Sequence, residues 1–333
     1  MKCMVLGSRK TGGHEGDDNM LKRINDNEES QIVCVGGDDS RAAFLVKGTR
    51  NVLYDTGMAY SADKMIENIK KQIGNAPLDA VLLSHSHYDH VAGLPFLRKE
   101  WPKLTVYGSE YASKILKKES VRKTMHKLSD DAAVGAGLFG VPDYDPDALA
   151  IDVIVREGDV LDFGTHKITV YETPGHTKCS LSYLVDRDVM FASETVGTLT
   201  RTGYMPCYLV GYGICLDAVE KLRASGAKRV LISHSGIIDA PADEVWDYLE
   251  AELKKTKDEI VEIIRRYPTE EEQIQAMMRV YHRGVTQAEQ PDFAFRLNAA
   301  ATLKVVKAEC MGQEEHPLYH TDAGQEWRKG VSA

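Results

Sequence analysis

The sequence predicts an α/β fold followed by a helical C-terminal extension. Three observations carry that reading: short β-rich runs broken by turn signals, several predicted strands that each run straight into a histidine or an acidic residue, and a change to helical periodicity from Ala242 onward. From Gln31 to Gly57, β-rich runs alternate with turns at Gly36-Gly37-Asp38-Asp39 and Lys47-Gly48, the pattern of an antiparallel meander. Ala59 to Ile73 has helical apolar spacing that stops near Gly74, and Asp79 to Leu83 (DAVLL) is a continuous apolar run expected of a buried strand. A short helix after His90, a strand over Thr105 to Tyr107 and a basic helix from Glu110 to about Ala133 follow. Strands are expected at Asp152 to Val155, Val160 to Phe163, Lys167 to Tyr171, Leu181 to Val185, Val189 to Ala192 and Arg229 to Ile232, the last after a helix from Leu216 to Ser225. Helices over Ala242 to Tyr267, Glu270 to Tyr281 and Phe293 to Ala308 complete the pattern, and the tail after Met311 is expected to be poorly ordered.

With 333 residues and 43% hydrophobic content the chain can bury a large core, and one large domain plus an appendage is the expectation. The net charge of -9, without a long Lys/Arg run to offset it, argues against nucleic acid as a partner. The N-terminus turns polar too soon for a secretory signal and no apolar run reaches membrane-spanning length, so a cytoplasmic protein with no membrane partner is expected. Cys3, Cys34, Cys179, Cys207, Cys215 and Cys310 are scattered without CxxC pairs and read as reduced packing residues.

Ser84 to Gly93 reads SHSHYDHVAG directly after a predicted buried strand, which concentrates His85, His87, Asp89 and His90 at a strand-to-helix junction. Residues two apart in extended backbone share a face, so His85 and His87 can point at one metal ion, while Asp89 and His90 lie past the strand end and can turn toward a second. His176 in ETPGHTKCS, Glu194 in VMFASETVG and His234 in VLISHSG each follow a predicted strand as well. Alone, His176 or His234 would more simply be a structural histidine; the recurrence at strand ends turns a motif into a site.

HxHxDH, a PGHT histidine, a strand-end acid and a final strand-end histidine together resemble the metallo-β-lactamase superfamily, over about Gln31 to Ala242. The resemblance implies an αββα sandwich with a metal site at one edge, formed by a domain over residues 1–242, of which about the first 28 are unassigned, and a C-terminal helical extension over 243–333. By that match His85, His87 and His176 form one metal site, Asp89, His90 and His234 the other, and Glu194 bridges them where most hydrolytic members carry aspartate. Two divalent ions are implied. The His/carboxylate donor set without thiolate suits Zn²⁺ first, with Fe²⁺ and Mn²⁺ as alternatives. Two cations sharing a water would lower its pKa enough to give hydroxide near neutral pH, with Asp89 both a ligand and the catalytic residue that orients it.

The expected function is hydrolysis of a small-molecule ester-like bond: thioester, ester, lactone or phosphodiester. A di-iron, oxygen-handling enzyme of the same fold and a metal-binding regulator are the alternatives. The C-terminal helices loosely resemble those of glyoxalase II-like and PqsE-like members, in which they cover the site mouth. Weaker signals stay open. Gly135 to Gly140 with the Pro/Asp-rich run after it is either a lid or a surface excursion, and Tyr204, Met205, Tyr208 and Tyr212 either wall a pocket or pack in the core. His14, His126, His166, His282, His316 and His320 have no ligand partners by spacing, and the charge-laced helix around Ala251 to Arg266 is a solvated face whose apolar side could support a homodimer.

Overall fold

The computed structural model describes residues 31–311, so the expectations for the first 30 residues and for the tail beyond Met311 lie outside the described residues. The predicted meander is β1 (Ile32–Cys34), β2 (Phe44–Val46) and β3 (Val52–Tyr54), paired antiparallel. After α1 (Ala62–Ile73) come β4 (Ala80–Leu82), the single turn α2 (Tyr88–Val91), α3 (Leu94–Glu100), β5 (Thr105–Gly108), α4 (Glu110–Leu116), α5 (Glu119–Gly135) and β6 (Val153–Ile154). The first sheet runs β1-β2-β3-β4-β5-β6, parallel from β3 onward.

The second half of the domain builds β7 (Val160–Asp162), β8 (Lys167–Glu172), β9 (Leu181–Val185) and β10 (Val189–Ala192), a separate ribbon of β11 (Thr198–Thr200) and β12 (Gly203–Met205), then α6 (Tyr212–Ala224), β13 (Arg229–Ile232) and β14 (Gly236–Ile237). Its sheet runs β14-β13-β10-β9-β8-β7, with β10 and β13 parallel. Helices α7 (Ala242–Arg266), α8 (Glu270–Tyr281) and α9 (Asp292–Cys310) follow.

Strand periodicity sorts the side chains into layers. Phe44, Val46, Val52, Tyr54 and Leu82 point inward from the first sheet to meet Leu181, Tyr183, Val185, Phe191 and Leu231 of the second. The intervening Leu45, Leu53 and Val81 face the other way, onto Met65, Ile69, Leu97 and Leu116 of α1, α3 and α4. Leu184, Met190, Val230 and Ile232 likewise face Val219, Trp246, Leu253 and Phe295 of α6, α7 and α9. Successive side chains on a strand take opposite faces, so strands covered on both faces must be buried throughout, as β3, β4, β9 and β10 are. The result is the expected αββα sandwich with helices beyond it.

Three details differ from the sequence expectation, and a fourth decides between two readings left open. The single basic helix is two, because Lys118 takes an extended backbone (φ -79°, ψ 122°); the carbonyl of Leu116 exposed by that break accepts from Arg122 Nε at 2.6 Å. Helix α6 starts at Tyr212, four residues before the expected Leu216. The β11–β12 ribbon was not anticipated, since its short Thr-Leu-Thr and Gly-Tyr-Met runs lie in a Gly-rich stretch. Gly135 to Gly140 is a surface excursion with Phe139 fully exposed, not a lid. No helix among the described residues is long and apolar enough to cross a membrane.

Because α7 and α9 share a core with the second sheet, the helical extension should report on the stability of the whole sandwich. Trp246 is fully buried in that core. Trp246→Ala is expected to cost ~3–5 kcal/mol, read as a lower midpoint of a single denaturant-unfolding transition; a separate early transition for the helices would contradict this.

Candidate metal centre

Each candidate ligand sits just beyond a strand end. Past β4, Leu83 donates to the Tyr107 carbonyl, and the Ser84 carbonyl accepts from Leu181 of β9 at 2.8 Å, locking the two sheets together where the motif begins. The chain stays extended to His87 (φ -74°, ψ 152°) and then coils into α2, which carries Asp89 and His90. Past β8 the backbone turns at Gly175 (φ +147°), where a Cβ would lie 2.5 Å from Cys215 Sγ and 2.7 Å from Thr195 Cγ2, so only glycine delivers His176 here. Glu194 follows β10. His234 follows β13 in a left-handed conformation (φ 62°), an uncommon backbone for a non-glycine residue that aims its ring back at the site.

These elements bring all seven sequence-predicted residues together in two groups. His85, His87, His176 and Glu194 form one, and Asp89, His90, Glu194 and His234 the other, with the donor atoms of each group within 4.8 Å of one another. Glu194 belongs to both. Its Oε2 lies 2.9 Å from His176 Nε2, while Oε1 lies 3.0 Å from His90 Nε2 and 2.5 Å from His234 Nε2. His87 presents Nδ1 to His176 Nε2 at 3.0 Å, and Asp89 Oδ2 lies 3.5 Å from His90 Nε2 and 3.6 Å from His234 Nε2.

The far side of four rings is tied down. His90 Nδ1 donates to Asp55 Oδ2 at 2.8 Å, His176 Nδ1 to the Cys207 carbonyl at 2.8 Å and His234 Nδ1 to the Ser40 carbonyl at 2.7 Å. His85 Nδ1 donates to Ser84 Oγ at 2.9 Å, whose hydroxyl in turn donates to Asp55 Oδ2 at 2.7 Å. In the neutral ring, a proton held on Nδ1 leaves Nε2 as a lone pair, and all four Nε2 atoms face the site. His85 Nε2 is buried with no hydrogen-bond partner, a costly orphan that a cation would satisfy. The donor set therefore fits divalent metal ions.

Charge in the cluster is balanced locally. Burial and the neighbouring imidazoles of His90, His87 and His176 hold His85 well below its usual range, and burial with His176 brings His87 down to about 4, so both rings are neutral and free to ligate. Burial pulls His90 down, but Asp89 and Asp55 outweigh it and raise the ring well above the ordinary value; for His234, Glu194 outweighs burial in the same way. Burial would raise the Glu194 carboxyl, yet His176 and His234 keep it well below the carboxylate range.

The centre opens into a cavity of about 1070 Å³ lined by His87, Asp89, Glu194 and His234, with His85, His90 and His176 buried behind them. Of the apolar candidates only Met205 lines it; Tyr204 and Tyr208 are buried in the core and Tyr212 packs against it. Cys179 is buried 3.4 Å from Ser86 Oγ at the cavity wall and belongs to neither ligand group. His126 pairs with Asp130, His166 with Asp186 and His282 with the Gln290 carbonyl, all away from the ligands; His14, His316 and His320 lie outside the described residues.

Sequence reasoning missed Asp55, which is fully buried, has φ 55°, and accepts from the Ser84 amide at 2.7 Å as well as from Ser84 Oγ and His90. It ends β3 just as the ligands end their strands, and the YDTG text was the available signal. Asp55→Asn should weaken zinc binding ~10–100-fold, measured by chelator competition; unaltered affinity would make Asp55 a packing residue only.

Known proteins place the chain. The sequence profile of the metallo-beta-lactamase superfamily matches residues 36–234. The acyl-coenzyme A thioesterase MBLAC2 of Homo sapiens is 25% identical over 206 residues, 57% of this chain and 71% of that protein. The flavo-diiron protein FprA2 of Clostridium acetobutylicum is 33% identical over 99 residues, 28% of this chain and 25% of that protein, and the hydroxyacylglutathione hydrolase of Buchnera aphidicola is 27% identical over 145 residues, 44% and 42%. A metallo-beta-lactamase family protein from Thermus thermophilus shares the fold with a TM-score of 0.56 at 17% identity, covering 80% of this chain and 88% of that one. With its sandwich, its strand-end ligands and a profile that spans more than half its length, the chain belongs to the metallo-beta-lactamase superfamily.

Proposed function

We propose that the chain is a dinuclear metal-dependent hydrolase of an ester-like bond in a small molecule. The division of the two Glu194 oxygens between the two ligand groups carries this reading, because one carboxylate within reach of both groups would let the centre hold two cations at the cavity floor. His85, His87 and His176 would hold one ion and Asp89, His90 and His234 the other, with Glu194 between. Two such ions would supply a water of lowered pKa and polarise the oxygen of the scissile group. Zinc suits the imidazole-rich donor set first.

The protein's own part is positioning. Asp89 reaches the cavity floor with Oδ2 turned toward His90 and His234, which leaves its other oxygen to accept from the attacking water and set its direction. The tied Nδ1 atoms keep the rings from turning as the substrate enters. Relatives named as an acyl-coenzyme A thioesterase and a hydroxyacylglutathione hydrolase support a hydrolytic reading.

The test is a hydrolysis screen over acyl thioesters, p-nitrophenyl esters, lactones and phosphodiesters with protein loaded separately with Zn²⁺, Mn²⁺ and Fe²⁺. Turnover of an ester-like bond is expected, falling ~100-fold or more in Asp89→Asn. Glu194→Gln should lower bound metal below two equivalents by elemental analysis. An iron-loaded protein with a visible charge-transfer band and no turnover on any substrate would replace the hydrolase with the redox alternative.

A further inference from the structure

The cavity is built in two unlike halves, and the difference selects the substrate. On one side α5 presents Val121, Met125 and Leu128, spaced i, i+4, i+7 along one helical face, and α9 adds Ala294 and Leu297, with Ala294 in the same buried cluster as Met125. Val121 and Leu128 remain partly exposed and Leu297 is 46% exposed, so this wall holds apolar surface that nothing in the described fold covers. The other side is polar, with Asp38 and Asp39 of the β1–β2 turn and Arg201 and Glu289 on the rim. Arg201 is already committed: its guanidinium donates to both Glu289 oxygens, at 2.8 and 2.6 Å, and to the Gly284 carbonyl. A phosphate seated on this rim would face the Asp38 and Asp39 carboxylates beside an Arg201 guanidinium that is already paired.

Size points the same way. At about 1070 Å³ the cavity lies just above the ~300–1,000 Å³ usual for small-molecule sites, so a two-carbon acyl group would leave most of it empty. Resting on the hydrolase reading above, we infer that the substrate is a carboxylic ester or thioester carrying an extended, uncharged apolar group lodged along the α5 and α9 faces of the cavity. In the reaction the water oxygen bonds to the acyl carbon, the acyl–oxygen or acyl–sulfur bond breaks, and a proton from the water passes to the departing alcohol or thiol.

The experiment compares p-nitrophenyl acetate, p-nitrophenyl octanoate and bis(p-nitrophenyl) phosphate on zinc-loaded protein, and titrates the same protein with octanamide, an unreactive probe of the apolar wall. The octanoate is expected to exceed the acetate in kcat/KM by at least about tenfold, since one methylene in an apolar pocket is commonly worth that much, and octanamide is expected to bind saturably. Leu297→Glu should lower the octanoate-to-acetate ratio and octanamide affinity together by about tenfold, and Leu297→Met should retain both. Ester hydrolysis with no chain-length preference, absence of octanamide binding, or faster turnover of the phosphodiester would overturn the inference while leaving a hydrolase in place. Octanamide binding that Leu297→Glu weakens, without hydrolysis of any ester, would uphold the apolar pocket and end the hydrolase reading instead.

Discussion

The centre depends on one buried carboxylate that faces no cavity. Asp55 lies at the end of β3 with its side chain wholly inside the protein, and it receives the Ser84 amide, the Ser84 hydroxyl and the His90 ring. Through Ser84 it also fixes His85. One anion thus sets the tautomer of a ring in each ligand group and holds the end of β3 to the segment that leaves β4. A buried carboxylate is tolerated only when its lone pairs are filled, and three donors fill them here. The left-handed backbone at Asp55 turns the carboxylate into this position, so strain, burial and charge are all spent on orienting the rings.

Glu194 solves the complementary problem on the cavity side. Five imidazoles and two carboxylates crowded together would be unstable as bare charges, and the structure distributes them so that His85 and His87 are neutral while His90 and His234 lie against carboxylates. The longer glutamate arm lets one side chain from β10 reach ligands that arrive from both sheets: His90 from the first, His176 and His234 from the second. Where an aspartate would have to sit closer, glutamate spans the gap with its backbone kept at the strand end.

Much of this was legible in the sequence, for reasons that also explain what was not. The ligands were found because imidazoles and carboxylates recurring at strand ends have few structural uses, and the strands and helices because buried strands and amphipathic helices leave periodic signatures; their arrangement as a sandwich came from the family resemblance. Asp55 escaped because a single strand-end aspartate has no partner nearby in sequence; Ser84 and His90, which explain it, lie about thirty residues on. The carbonyls of Ser40 and Cys207 that orient His234 and His176 carry no side-chain signal at all. The break between α4 and α5 has neither glycine nor proline to announce it, and Tyr204 and Tyr208 show that an aromatic-rich stretch after a ligand can simply be core.

The ligands and the apolar wall hang on different parts of the molecule. Every proposed metal ligand is set by a strand end or by the single turn that follows β4, whereas Val121, Leu128 and Leu297 stand on two helices that contribute no ligand. Residues on those helices can be exchanged for larger or smaller ones without moving a lone pair at the centre. On the proposed hydrolytic reading, chemistry and selectivity would be separately heritable, and descendants of such a chain could change what they cleave long before they changed how they cleave it.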